Sequence, residues 1–449
     1  MKPKKLLFLA VPFLAAGALI GCGKKYDVKI IVYNWADYIY DGTDESGKKV
    51  GDGTIKMFEK YYKEKYNKSI KVDYRTFSTP EIMYSQIKAG SISPDLICPS
   101  DYMIQKMANE GMLEKFSYDE ANDKYEESLS NWATYGSPFI KQRFKEARVN
   151  EKNVEGGESF LQYSVPYFWG TMGFTYDPNY FSPSEVSSWE ALWSKDAKFQ
   201  GQFTLKDSMR DTYVAGIFHV YHDEIVALSA HKEDPDYNKK LSEIFNRCDD
   251  NTIKLVKDAL LEAKKTTVNS FEVDEGKDAI VRGDYHANLA WSGDAVYSMD
   301  SAEKDDNKRL NYSLPTEGSN VWFDGWCMPK GAQKDVAEEF INFISQPSVA
   351  AKNMEAVGYT SPIVGQEIWN MINEWYAAED DETDTYEADL SFYFGDSIEE
   401  PAIIAAPSSE RGRQFDAQYP TEDVLLSCCM MKDFGDRTKA VEEMWIDIK

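Results

Sequence analysis

The sequence predicts an α/β protein of two lobes, each built on a doubly wound sheet with helices on its faces. Three observations predict it. Strand-like and helix-like segments alternate from Lys29 to Glu110, the order that builds parallel sheets. About 427 residues would remain after an N-terminal signal segment, more than one ordinary core holds. No long Pro, Gly or Ser linker divides the chain, so a polypeptide that crosses between two lobes is expected rather than separate beads.

The elements follow in order. Lys29 to Tyr33 is an apolar strand, and Ile55, Phe58 and Tyr62 mark one face of the helix after it, with Glu59 and Lys63 paired on the outside. Ile70, Val72 and Tyr74 alternate as a second strand. A helix from Pro80 to Ala89 stops at Gly90, Asp95 to Cys98 forms a short buried strand, and a helix from Tyr102 to Glu110 stops at Gly111. A second α/β series starts near Gly173-Phe174-Thr175-Tyr176, and Asp335 to Ser345 is an amphipathic helix with Val336, Phe340, Ile341 and Ile344 on its apolar side. Tyr40 to Gly53 and the acidic stretch Ala377 to Asp389 have the composition of insertions, and the latter is expected as a solvated surface loop.

Three tryptophan and aspartate pairs are the candidate site: Trp35 with Asp37, Trp291 with Asp294, and Trp322 with Asp324. A ring face beside a carboxylate attracts an organic cation through the ring quadrupole and the full negative charge together. Trp35 and Asp37, like Trp322 and Asp324, are two apart, so on extended chain each pair projects from one face. In doubly wound sheets ligands bind outside the carboxyl ends of the strands. Trp35 and Asp37 follow the first strand, Ser100 and Tyr102 the third, and Trp291 the apolar run Ala287 to Ala290.

At the N-terminus, Lys2, Lys4 and Lys5 precede an apolar stretch from Leu6 to Ile20 that is short for a membrane span. Leu19-Ile20-Gly21-Cys22 resembles a bacterial lipobox, which implies cleavage before Cys22 and a lipid on its thiol. Removing those three lysines would take the formal charge from −26 to −29, a surface that repels nucleic acid and anionic lipid and gathers small cations. Cys98, Cys248, Cys327, Cys428 and Cys429 lack C-x-x-C spacing and are expected as core residues, not as a disulfide framework or a zinc site. No phosphate loop, nucleophile elbow or H-E-x-x-H helix is present, and His219 with His222 makes a weak metal pair. Paired acids flanked by tryptophans also fit a glycoside hydrolase, which uses the same residue types.

Six motifs carry a family resemblance: Tyr33-Asn34-Trp35-Ala36-Asp37-Tyr38, Pro99-Ser100-Asp101-Tyr102, Val165-Pro166-Tyr167-Phe168-Trp169-Gly170, Trp291-Ser292-Gly293-Asp294, Trp322-Phe323-Asp324 and Val357-Gly358-Tyr359-Thr360-Ser361-Pro362. In that order they resemble the motifs of bacterial spermidine/putrescine-binding proteins, the polyamine-capturing components of ABC importers. The resemblance implies a type II periplasmic-binding-protein fold, with ligand in the cleft between the lobes. It implies that Trp35 and Tyr38 line the cleft, Asp37 and Asp324 meet ammonium groups, and Ser100 and Tyr102 add contacts from the first lobe. Asp211, in Lys206-Asp207-Ser208-Met209-Arg210-Asp211, matches an acid from the second lobe, Trp291 and Trp322 sandwich the alkyl chain, and Tyr359 completes the wall.

Departures bear on selectivity. Ala36 and Ser208 replace residues of spermidine-preferring members, Asp294 is similar to putrescine-preferring ones, and Trp322 is similar to the spermidine type. A glutamine that spermidine binders contribute has no clear counterpart, and putrescine is favoured by a small margin. The expected organisation is a signal peptide over 1–21, a lipidated spacer over 22–28, a first lobe of 29–172 and 323–369, and a second lobe of 173–322 and 370–449. The expected function is capture of polyamine by a lipid-anchored monomer outside the cytoplasm and delivery to an ABC permease, with no catalysis, cofactor, metal or nucleic acid. A binding protein for another small cation, or the ligand-binding module of a sensor, is the nearest alternative.

Overall fold

The computed structural model describes residues 26–44, 46–273, 275–306 and 308–449. Cys22 and the signal segment lie outside the described residues. Strand β1 (Val28–Trp35) leads through helix α1 (Thr54–Tyr66) to β2 (Ile70–Phe77), then through α2 (Pro80–Lys88) to β3 (Leu96–Ile97) and α3 (Asp101–Asn109). The three strands form a parallel sheet in the order β2-β1-β3. Apolar side chains decide these positions. Ile30 and Val32 of β1 are fully buried, and Phe58 and Tyr62 of α1, one turn apart, cover the sheet. Thr79 caps α2 by accepting from the Ile82 amide at 3.3 Å, and Pro80 occupies the first helical position.

The chain then reaches β4 (Val165–Tyr176), a single strand of twelve residues, all buried. The series expected to begin at Gly173 is therefore the second half of a strand that starts in the first lobe. Beyond it come β5 (Phe203–Lys206), α4 (Met209–Val220), β6 (Val268–Glu272), β7 (Ala287–Trp291), α5 (Ser292–Asp306), β8 (Asn311–Ser313) and β9 (Ser319–Trp326). Short β10 (Cys428–Cys429) follows much later in the chain. Among the described residues the sheet runs β6-β5-β7-β4-β9-β10, with β8 also on β4. Its β6-β5-β7 part is parallel, whereas β4 pairs antiparallel with both β7 and β9.

The antiparallel pair β4 and β9 joins the two lobes. At one end Gly173 to Tyr176 pair with β7; at the other, Trp322, Phe323 and Asp324 face Gly170, Trp169 and Phe168. Single bridges from Ile97 of β3 to Cys327, just past β9, and from Ser100, at the start of α3, to Asp324 of β9 tie the first lobe to the same segment. One core gathers the side chains around β1 to α3 and the β9 end of β4; a second surrounds Phe174, Trp189, Phe203 and Phe218. Leu390, Tyr393, Phe394 and Phe415 join the first core, whereas Met431, Val441, Met444 and Ile448 join the second.

Three local expectations change. The helix Lys334–Ile344 is buried on its polar side as well, because Glu339 accepts hydrogen bonds from Tyr61 (2.6 Å), Lys65 (2.7 Å) and Tyr66 (2.5 Å) of α1. The acidic insertion is not a loop throughout: Thr385–Asp389 is a strand paired antiparallel with Ile403–Pro407, alternating exposed and half-buried residues. His219 and His222 lie on separate helices, and His219 stacks on Trp193 while bonding Glu190. Among the described residues all five cysteines are free, and four of them are buried, Cys248 being only half-buried. No helix among the described residues is long and apolar enough to cross a membrane.

Candidate functional site

Asp324 lies at the centre. On β9 it sits two residues from Trp322, so both side chains leave one face of the strand, as the spacing implies. Its carboxylate is 6 % exposed and accepts a hydrogen bond at each oxygen, from Tyr38 at 2.6 Å and from Ser100 at 2.7 Å. Ser100 occupies the cap position of α3 without capping it, so its hydroxyl is available to Asp324. Burial pushes the Asp324 carboxyl up to about 6, against the two hydroxyl bonds that favour the charge.

Aromatic rings surround this carboxylate. Tyr38 meets Tyr359 edge-on at 5.6 Å and Phe168 at 5.2 Å, and Trp322 lies 5.3 Å from Tyr359. Trp322 can reach this position because Gly170 stands opposite it: a methyl group there would fall 2.6 Å from the indole and 2.4 Å from the Ser292 hydroxyl. Gly293 has the same purpose at the start of α5, since a Cβ on it would lie 1.4 Å from the Tyr359 ring.

Tyr359 also spans to the second lobe, where its hydroxyl donates to Asp294 Oδ1 at 3.0 Å. Asp294 Oδ2 accepts from Lys206 at 2.7 Å, and both residues are buried. The Lys206 ammonium lies 3.9 Å from the centroid of the Trp291 ring. The Trp291 indole N–H donates to Asp211 at 3.2 Å. Ser208 caps α4 and accepts from the Asp211 amide, which fixes Asp211 in the first turn. Burial raises the Asp211 carboxyl above its ordinary range, opposed by Ser208, Trp291 and the charges of Lys206 and Arg210.

The structure thus brings Tyr38, Ser100, Trp322, Asp324 and Tyr359 into one cluster and connects it through Asp294 to Trp291 and Asp211. Tyr102 stands to one side. Its ring lies 3.9 Å from the Arg210 guanidinium and its hydroxyl donates to Glu81 at 3.0 Å. Trp35 packs on Phe77 at 4.9 Å, with its indole nitrogen buried and without a hydrogen-bond partner among the described residues. Asp37 differs from the expectation that it shares a face with Trp35. It lies beyond the end of β1, in the left-handed region with φ 51°, and is exposed.

Sequence reasoning missed two cations and one acid here. Lys206 ends an apolar strand at its carboxyl edge, which is a readable signal for a cleft residue. Arg210, beside Tyr102, is held by Asp433 at 3.6 Å from the C-terminal segment, which no local pattern reveals. Asp101 is 2 % exposed, and burial pushes its carboxyl well above the usual range, with the Asp324 charge adding to the shift.

The profile of the family described as "Bacterial extracellular solute-binding protein" matches residues 54–365, more than half of the chain. The chain belongs to this family. The solute-binding protein is 25 % identical over 355 residues to the spermidine/putrescine-binding periplasmic protein of Escherichia coli, covering 78 % of this chain and 83 % of that one. It is 24 % identical over 372 residues to a putrescine-binding periplasmic protein of Pseudomonas aeruginosa, covering 79 % and 86 %. Its fold is similar to the crystal structure of a spermidine/putrescine ABC transporter substrate-binding protein from Streptococcus pneumoniae, with a TM-score of 0.58, 22 % identity and coverage of 94 % and 98 %. The two-lobed type II fold expected for the solute-binding protein is the fold it has.

Proposed function

We propose that this protein captures a polyamine, putrescine ahead of spermidine, in the cleft between its lobes and delivers it to an ABC importer. The single observation that carries the reading is a buried carboxylate, Asp324, set among the rings of Tyr38, Trp322 and Tyr359. An aliphatic amine remains protonated at neutral pH, as lysine does with its pKa of about 10.4. Its ammonium answers the carboxylate, and its methylene chain answers the rings, each ring adding about 0.5–2 kcal/mol of cation-π attraction where the charge passes over it. The curated relatives named above as binders of these amines support the same ligand class.

In this reading Asp324 and Asp211 meet the two ammonium groups, Trp291 and Trp322 flank the chain, and Tyr38, Ser100, Tyr102 and Tyr359 complete the wall. Asp294 braces Tyr359, while Trp35 and Asp37 stand at the mouth. Membership in a solute-binding family favours sequestration over turnover. Cys22 carries the lipid that tethers a monomer to the outer face of a membrane, beside its permease. Isothermal titration of the mature protein with putrescine, cadaverine and spermidine tests the ligand. Saturable binding with putrescine tightest is expected, and no heat with any amine would end the proposal. Replacing Cys22 with Ala should move the protein from the membrane fraction to the soluble one; continued membrane attachment would exclude the lipid anchor.

A further inference from the structure

Lys206 places a cation of the protein's own against the cleft residues Asp294 and Trp291. Lys206 is 1 % exposed, and its ammonium bonds Asp294 at 2.7 Å and the Val273 carbonyl at 3.2 Å while facing the Trp291 ring at 3.9 Å. These are the contacts an amine ligand would make: a carboxylate, a carbonyl and an indole face. Asp294 is engaged at its other oxygen by Tyr359 at 3.0 Å, and Lys277 stands 3.9 Å away. The buried negative charge of Asp294 is therefore answered from within the chain.

We propose that Lys206 is a selectivity residue, whose tethered ammonium fills the Asp294 subsite against one face of Trp291 and leaves the cleft with places for two ligand charges rather than three. The inference rests on the polyamine reading and names the ligand class within it. A diamine places one ammonium at Asp324 and the other at Asp211, and leaves Lys206 where it stands. A triamine brings a third ammonium, which meets a carboxylate already neutralised and a fixed positive charge beside it. Repulsion between like charges in a dry site then disfavours the longer ligand.

The test compares putrescine and spermidine by calorimetry in wild type, in Lys206→Met, and in Lys206→Met combined with Asp294→Asn. Lys206→Met frees an acidic, aromatic subsite and should move the affinity ratio towards spermidine by about tenfold or more. The double variant removes the freed carboxylate and should return the ratio towards the wild-type value. An unchanged ratio in Lys206→Met overturns the inference. Should that variant fail to fold, a crystal structure of wild type with putrescine decides. Lys206 still bonded to Asp294 supports the assignment, and a ligand ammonium on Asp294 with Lys206 displaced overturns it. Wild type that binds neither amine would instead remove the polyamine reading itself.

Discussion

Burial between Tyr38 and Ser100 pushes the Asp324 carboxyl up to about 6. A cationic ligand selects the ionised form, so capture below that pH must release a proton. Affinity is therefore expected to fall about tenfold for each unit of pH below 6. Titrations in buffers of different ionisation enthalpy should show that proton, and an affinity independent of pH down to 4.5 would contradict it. The sign for stability is opposite to that of a salt-bridged acid. Between the ordinary aspartate value of 3.8 and about 6, the folded state holds a proton that the unfolded state has lost, so the protein without added amine loses stability as pH rises through that window. The pairing of Trp322 with Asp324 was legible in the sequence because both lie on one extended strand, where a spacing of two fixes the face. The same spacing misled at Trp35 and Asp37 because β1 ends at Trp35 and Asp37 turns into a left-handed conformation. The proton affinity of Asp324 depends on Tyr38 and Ser100, hundreds of residues away in the chain, and no sequence pattern contains it.

Two glycines set how closely the elements approach. Gly293, the second residue of α5, lets the Tyr359 ring lie against the start of that helix. Gly293→Ala should weaken putrescine binding about tenfold by forcing Tyr359 aside. Because alanine suits a helix better than glycine by about 0.5–1 kcal/mol, urea denaturation should show little loss of stability. Equal affinity in the variant would show that this contact plays no part in capture. Gly170 differs, for it lies in the middle of β4, and a methyl group there meets Trp322 and Ser292 inside the packed strand pair. Gly170→Ala is expected to destabilise the protein by about 1–3 kcal/mol, measured as a shift in the urea midpoint. The strands and helices from Val28 to Asn109 were legible to within a residue or two because buried positions of α1 and β2 recur with periods of four and two and glycines follow α2 and α3, whereas the short elements between Leu113 and Gln162 were not. The length of β4 was not. Its twelve residues are all buried, so no alternation marks where one lobe ends and the next begins.

For the molecule as a whole, β4 and β9 carry the connection between lobes, and Tyr359 with Asp294 and Tyr102 with Arg210 make contact across the cleft. A ligand held by both lobes favours their closed arrangement in proportion to its preference for that state. It should also raise the melting temperature, since ligand at a hundred times its dissociation constant stabilises by about 2.7 kcal/mol. Putrescine should produce the shift and sugars should not; a shift with sugars alone would point to a different solute. The two-lobed plan was legible from chain length and from the missing linker. Assignment of the C-terminal region was not, because the segment from Leu390 to Phe415 reaches the first core and the segment from Met431 to Ile448 the second only through tertiary contacts. The most direct measurement is a calorimetric titration of putrescine into wild type and Asp324→Asn at neutral pH. Saturable binding that weakens about tenfold or more in the variant is the expected result. Equal affinity in the two proteins would contradict a cation site built on Asp324.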